Sequence, residues 1–154
     1  MNFHIVTLFP GAFDSYLGES ILKRAIEDKK IKVTFYNPRD FADNKHDRID
    51  KPPYGGGPGM VIQALPVIKA ISKAKGNKKR VKIIFLNPGG KQFTKEYAQK
   101  TAKTFSDIII VCGRYEGIDA RIKKAFKMDD ISIGPFVLTG GELPAMLIMD
   151  SIAR

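Results

Sequence analysis

Four short segments gather glycine and proline with few side chains suited to covalent chemistry. They read Pro53-Tyr54-Gly55-Gly56-Gly57-Pro58-Gly59-Met60, Asn87-Pro88-Gly89-Gly90, Gly113-Arg114-Tyr115-Glu116-Gly117-Ile118-Asp119, and Ser132-Ile133-Gly134-Pro135-Phe136-Val137-Leu138-Thr139-Gly140-Gly141-Glu142-Leu143-Pro144. Glycine lets a backbone turn sharply or a ligand approach closely, so these segments suit a binding cradle better than a covalent catalyst. Familiar nucleotide motifs fail in detail. Gly55, Gly57 and Met60 break the glycine spacing of a dinucleotide fingerprint, and Gln92 follows Gly90-Lys91 where a phosphate loop needs Ser or Thr. There is no Gly-x-Ser-x-Gly elbow and no set of Ser, His and Asp that suggests an activated nucleophile. Cys112, His4 and His46 form no recognisable metal-ligand spacing, so no metal site is expected, and Cys112, alone of its kind, is expected to be a buried small hydrophobe.

Something must hold these segments together, and the intervening residues supply it. Phe3 to Phe9, Ile31 to Tyr36, Val81 to Leu86, Asp107 to Cys112 and Ile131 to Ile133 are β-branched or aromatic runs that read as strands. Helical spacing appears over Ala12 to Asp28, with Phe13, Leu17, Ile21 and Ile26 on one face, and over Leu65 to Lys75, with Leu65, Ile68 and Ile71. A third helix is expected from Glu142 to Arg154, its Leu143 to Met149 stretch forming core with an interfacial edge. The alternation predicts an α/β fold, and the unbroken apolar run Ile108 to Val111 predicts a mostly parallel sheet with helices on both faces. Ligands in such sheets sit beyond the carboxyl ends of the strands, where three of the glycine segments fall.

The chain has 154 residues and a formal net charge of +10, which suits one domain with a polyanionic partner. The cluster Lys73, Lys75, Lys78, Lys79, Arg80 and Lys82 reads as a solvated helix end and loop. No apolar run is long enough for a membrane span and no export signal is evident, so a cytoplasmic location is expected.

The combination of Tyr54 to Met60, Gly113 to Asp119, and Ser132 to Gly134 with Thr139 to Pro144 resembles the TrmD family, bacterial tRNA guanine-N1 methyltransferases of the SPOUT superfamily. Leu8-Phe9-Pro10 and Pro38-Arg39-Asp40-Phe41 extend the resemblance over essentially the whole chain. It implies one S-adenosylmethionine-binding domain over residues 1 to 154 with a deep C-terminal trefoil knot. It also implies methyl transfer to N1 of the guanosine immediately 3′ of the anticodon in tRNA, by a homodimer whose active site is shared between subunits. Cofactor-binding residues implied by the resemblance are Leu86, Pro88, Gly113, Tyr115, Ile133, Gly134, Pro135, Phe136, Val137, Leu138, Gly140 and Gly141, with main-chain groups making most polar contacts. Tyr54, Gly55, Gly56, Gly57 and Arg114 are implied on the substrate side, and Arg39, Lys45, Arg48 and Lys51 are positioned to meet tRNA phosphates. Two departures stand out: Pro135-Phe136 where the family often has Asp-Tyr, and Asn87 where it has Ser.

Displacement at a sulfonium methyl asks the protein chiefly to orient the acceptor. Guanine N1 carries a proton at neutral pH, so a base must remove it and a cation near O6 must offset the charge that develops. By resemblance Arg154 is that cation and Glu116 an acidic residue of the substrate site, while the base is an aspartate shortly beyond Arg154. The expectation is therefore a domain of a longer protein, with its C-terminal tRNA-binding domain outside this chain, that binds cofactor and methylates poorly or not at all alone. A magnesium requirement is left open. The alternative is a catalytically silent cofactor- or RNA-binding module of a fusion protein.

Overall fold

The computed structural model describes residues 1–154. Five strands, β1 (Asn2–Val6), β2 (Lys32–Tyr36), β5 (Val81–Gln92), β6 (Asp107–Val111) and β7 (Asp129–Ser132), form one sheet in the order β2-β1-β6-β5-β7, every neighbour parallel. Two short strands, β3 (Asp50–Lys51) and β4 (Val61–Ile62), make a separate antiparallel pair that the sequence patterns did not reveal.

Alternation along β6 explains the two cores. Ile108, Ile110 and Cys112 face one side, packed with Phe3, Ile5 and Ile84 against helices α2 (Ser20–Glu27), α4 (Lys95–Thr104) and α6 (Glu142–Ala153). Ile109 and Val111 face the other, with Val6, Ile83 and Phe85 against α3 (Ala64–Lys75) and the single turn α5 (Ile122–Ala125). Isoleucines 108 to 110 are fully buried, and each contributes about 1.5 to 3 kcal/mol by leaving water. Cys112 is buried as expected, and burial pushes its thiol well above the usual range.

Several expectations are corrected. The helix expected from Ala12 to Asp28 is broken into a 3-10 turn (Pro10–Phe13), the turn α1 (Asp14–Leu17) and α2, because Gly18 and the extended Glu19 interrupt it and Ser20 has φ of 49°. Ile21 consequently points outward and is 76% exposed, and Leu22 is buried instead. In α3 the buried stripe is Ala64, Val67, Ala70, Ile71 and Ala74, leaving Leu65 half exposed. Small alanines let the helix lie close to the sheet. The third expected strand does not end at Leu86: β5 continues to Gln92 past an irregularity, with both Leu86 and Lys91 paired to Ile131. Gly90 is required there, since a β-carbon would come within 2.6 Å of the Ile131 backbone nitrogen. The strand placed at Ile131 to Ile133 begins earlier, at Asp129.

Much of the basic run from Lys73 to Lys82 has structural work. Lys78 Nζ donates to Ala74 O at the end of α3, Arg80 donates to the carbonyls of Lys103 and Thr104, and Lys82 pairs with Asp129. No helix is long and apolar enough to cross a membrane.

Candidate functional site

At the irregularity in β5 and beyond the carboxyl ends of β6 and β7 lies a cleft of about 440 Å³, within the size range of small-molecule sites. Each of those strands sends a segment to it. Leu86 and Pro88 come from β5, Gly113 to Ile118 from the loop after β6, and Ile133 with Phe136 to Gly141 from the loop after β7. Ten of the twelve residues expected to bind cofactor therefore line one cavity: Leu86, Pro88, Gly113, Tyr115, Ile133, Phe136, Val137, Leu138, Gly140 and Gly141. Gly134 and Pro135 lie between lining residues without facing the cleft.

The walls are fixed by close backbone approach. Gly141 N donates to Gly113 O at 2.9 Å, and Ser132 Oγ donates to Gly134 O at 2.9 Å. A β-carbon on Gly134 would overlap the Phe136 ring, which folds back over its own loop. The loop after β6 turns through the left-handed region at Tyr115 (φ 58°) and Gly117 (φ 113°), leaving the Tyr115 ring about half exposed at the cleft edge.

Charge in the cleft is sparse and almost entirely paired. Arg114 binds the buried Glu142, with Nε to Oε2 at 3.0 Å, and Lys123 binds Asp130. Glu116 is the sole carboxylate among the lining residues and has no ion-pair partner. The cleft thus offers apolar surface, main-chain groups and one free negative charge. That combination suits a flat heteroaromatic ligand bearing a cationic part or N–H donors. No group of three or more His, Cys, Asp or Glu comes together that would hold a metal ion.

The Tyr54 to Met60 segment does not line the cleft but borders it. Glu116 N donates to Met60 O at 3.0 Å, Ile62 N donates to Gly117 O at 3.0 Å, and a β-carbon on Gly59 would meet the Glu116 side chain. Gly55, Gly56, Gly57 and Gly59 all have φ between 84° and 110°, a conformation that side chains rarely adopt. Tyr54 is 83% exposed and accepts a hydrogen bond from Arg121 Nη2 at 2.9 Å. Arg121 is held in turn by Asp119, whose carboxyl that contact keeps below the usual range.

Arg154 lies elsewhere. It ends α6 in a second groove with Tyr16, Leu143 and Leu147, so Glu116 and Arg154 do not meet within one chain. Lys123 and Glu142 were missed by reading the sequence. Lys123 is one lysine among many, whereas an acid directly after Gly140-Gly141 at a helix start is a signal that was available.

A family model described as tRNA (Guanine-1)-methyltransferase TrmD matches residues 1–154. Proteins named tRNA (guanine-N(1)-)-methyltransferase are 47% identical in Clostridioides difficile (strain 630), 47% in Geotalea uraniireducens (strain Rf4) and 46% in Sulfurovum sp. (strain NBC37-1), each aligned over 100% of this chain. The chain spans 67%, 62% and 67% of those relatives' respective lengths. With a family model matching the whole chain and relatives at this identity, the chain belongs to the TrmD family of tRNA (guanine-1)-methyltransferases.

Proposed function

We propose that this chain holds S-adenosyl-L-methionine in the cleft and takes part in methylating N1 of the guanosine immediately 3′ of the anticodon in tRNA. The observation that carries the reading is the single cavity built from the irregular stretch of β5 and the segments after β6 and β7, apolar and backbone-lined, with Glu116 as its one unpaired charge. The cofactor supplies an electrophilic methyl group on a sulfonium. Leu86, Ile133, Phe136 and Leu138 offer apolar surface to an adenine ring, and the main chain of Gly113, Gly140 and Gly141 can approach it without side-chain interference. Glu116 is placed to accept hydrogen bonds from the N–H edge of a guanine or from a cationic part of the cofactor. A magnesium ion held here would have Glu116 as its one carboxylate from the cleft lining, with water and ligand oxygens completing its shell.

Arg154 enters this reading from a second subunit. Helix α6 has 12 residues and so separates its ends by about 18 Å, which puts Arg154 far from the cleft of its own chain. Tyr16, Leu143 and Leu147 lie half exposed around Arg154, an apolar edge suited to a symmetric contact. There Arg154 would stabilise negative charge developing at guanine O6 in the partner's cleft. Light scattering tests this directly: a monomer at high micromolar concentration contradicts a shared site.

A deep trefoil knot fits the same arrangement. The chain leaves β7 at the sheet edge, beyond β5, yet Gly141 packs on Cys112 at the end of β6, so residues 133 to 140 must cross back over β5.

The relatives extend beyond the matched span, and the proposal assigns the proton-abstracting base to that remainder. Tritiated methyl incorporation into tRNA transcripts with guanosine or adenosine 3′ of the anticodon tests both points. Residues 1–154 should bind cofactor and show slow incorporation into the guanosine transcript only, and full-rate turnover by this chain would overturn the assignment of the base.

A further inference from the structure

We infer that Arg114 is a positioning residue for cofactor binding: its ion pair with Glu142 fixes the cleft wall at residues 134 to 141 before a ligand arrives. Arg114 donates from Nε to Glu142 Oε2 at 3.0 Å and from Nη1 to Thr139 O at 3.5 Å, lays its guanidinium 4.6 Å from the Phe9 ring centroid and is only 27% exposed.

Glu142 is the deeper partner. Its side chain is 5% exposed, and its other oxygen accepts a 2.8 Å hydrogen bond from Thr7 Oγ, which itself accepts from Phe9 N at 3.0 Å. The end of β1, the loop after β6 and the start of α6 therefore converge on one buried carboxylate whose sole counter-charge is Arg114. Removing that counter-charge strands a buried anion.

The pair also passes through the space left by a missing side chain. A β-carbon on Gly140 would overlap Arg114 Nε and come within 2.6 Å of Glu142 Oε2, while Arg114 and Gly140 form an antiparallel bridge. Farther out, Phe136, Val137 and Leu138 are 52%, 80% and 37% exposed. That stretch depends on its two ends for its position, and the Arg114–Glu142 pair fixes the C-terminal one. A wall ordered in advance spares the ligand the cost of ordering it, which appears directly as affinity.

This inference rests on the cofactor reading above, so its test carries one readout that needs no cofactor. Arg114→Met, Glu142→Gln and the double variant are compared with the parent chain by amide hydrogen exchange and by calorimetric titration of S-adenosylmethionine, well below the unfolding temperature. In Arg114→Met, exchange over residues 134 to 141 should quicken while β1 and β6 stay protected, and cofactor affinity should fall about tenfold. Loss in the double variant should be no greater than in either single one, because the two side chains act as a unit. The salt dependence of tRNA binding should be unchanged.

Unchanged exchange in Arg114→Met overturns the inference, as does faster exchange with cofactor affinity intact. A salt slope reduced by about one with cofactor binding preserved makes Arg114 a phosphate contact instead. A parent chain that does not bind cofactor defeats the cofactor reading, while exchange still decides whether the pair fixes the wall. If Arg114→Met does not fold, Arg114→Lys, which keeps the charge but loses the planar fork, serves the same comparison.

Discussion

Gly141 sits so close to Cys112 that a β-carbon on it would come within 2.7 Å of the Cys112 α-carbon, and its N–H bonds the next carbonyl, Gly113 O, at 2.9 Å. This contact joins the start of α6 to the end of β6 and closes the floor of the cleft. Backbone cannot move aside as a flexible side chain does. Gly141→Ala should therefore cost about 1 to 3 kcal/mol in urea unfolding and abolish measurable cofactor binding.

Gly134 presents the opposite case. The atoms that a β-carbon would meet belong to the Phe136 ring, whose side chain is half exposed and free to swing. Gly134→Ala should leave stability within about 0.5 kcal/mol yet weaken cofactor binding about tenfold, because Phe136 lines the cleft and its ring must shift. Phe136→Tyr should change affinity less than about threefold, since main-chain groups make the polar contacts proposed here. Parallel calorimetry and urea unfolding separate the two effects.

Asp107 gives the fold a defined acid sensitivity. Burial raises its pKa, but hydrogen bonds with His4, Ser106 and Asn2 outweigh burial and hold the carboxyl below its ordinary value. A group lowered in the folded state contributes stability above the unfolded carboxylate pKa, near 4, and loses it as pH falls through the lower folded value. Asp107→Asn should be less stable than the parent at neutral pH and should lose stability less steeply below about pH 4, which thermal unfolding across pH will show.

Arg121 should govern the order of the glycine loop rather than the stability of the fold. It is more than half exposed, and it holds the Tyr54 hydroxyl at 2.9 Å while lying over the Tyr54 ring. Arg121→Ala should change global stability by less than about 0.5 kcal/mol while speeding limited proteolysis between Tyr54 and Gly59. An unchanged cleavage pattern would show that the loop is held by its backbone alone.

Lys45, Arg48 and Lys51 are exposed and form no ion pair, whereas Arg39 donates to Leu8 O and lies over Phe9. Alanine at each of the first three should reduce the slope of log affinity for tRNA against log salt by about one. Arg39→Ala should cost stability as well. A salt response that is flat in the parent chain would remove the electrostatic case for this surface.

The sheet was legible because Ile108 to Val111 must be buried on both faces, and only strands flanked by helices on both sides allow that. The segments after β6 and β7 were legible as binding loops because they follow strands, whereas Asn87 to Gly90 proved to be an irregular stretch inside β5. What escaped has physical causes. A helical period runs through Gly18 without registering that the backbone breaks there, and α4 carries too few apolar residues for a periodic signal although Thr94 caps it. The separation of Glu116 from Arg154 is set by the length and direction of α6, which no motif encodes. The Arg114–Glu142 pair joins residues 28 apart in sequence, and only the folded geometry shows that Glu142 is buried.

Calorimetric titration of S-adenosylmethionine into this chain, with a nicotinamide cofactor as control, tests the central claim most directly. Saturable binding of the former alone is the predicted result. No heat of binding at millimolar cofactor, in a chain shown by circular dichroism to be folded, would contradict the assignment of the cleft.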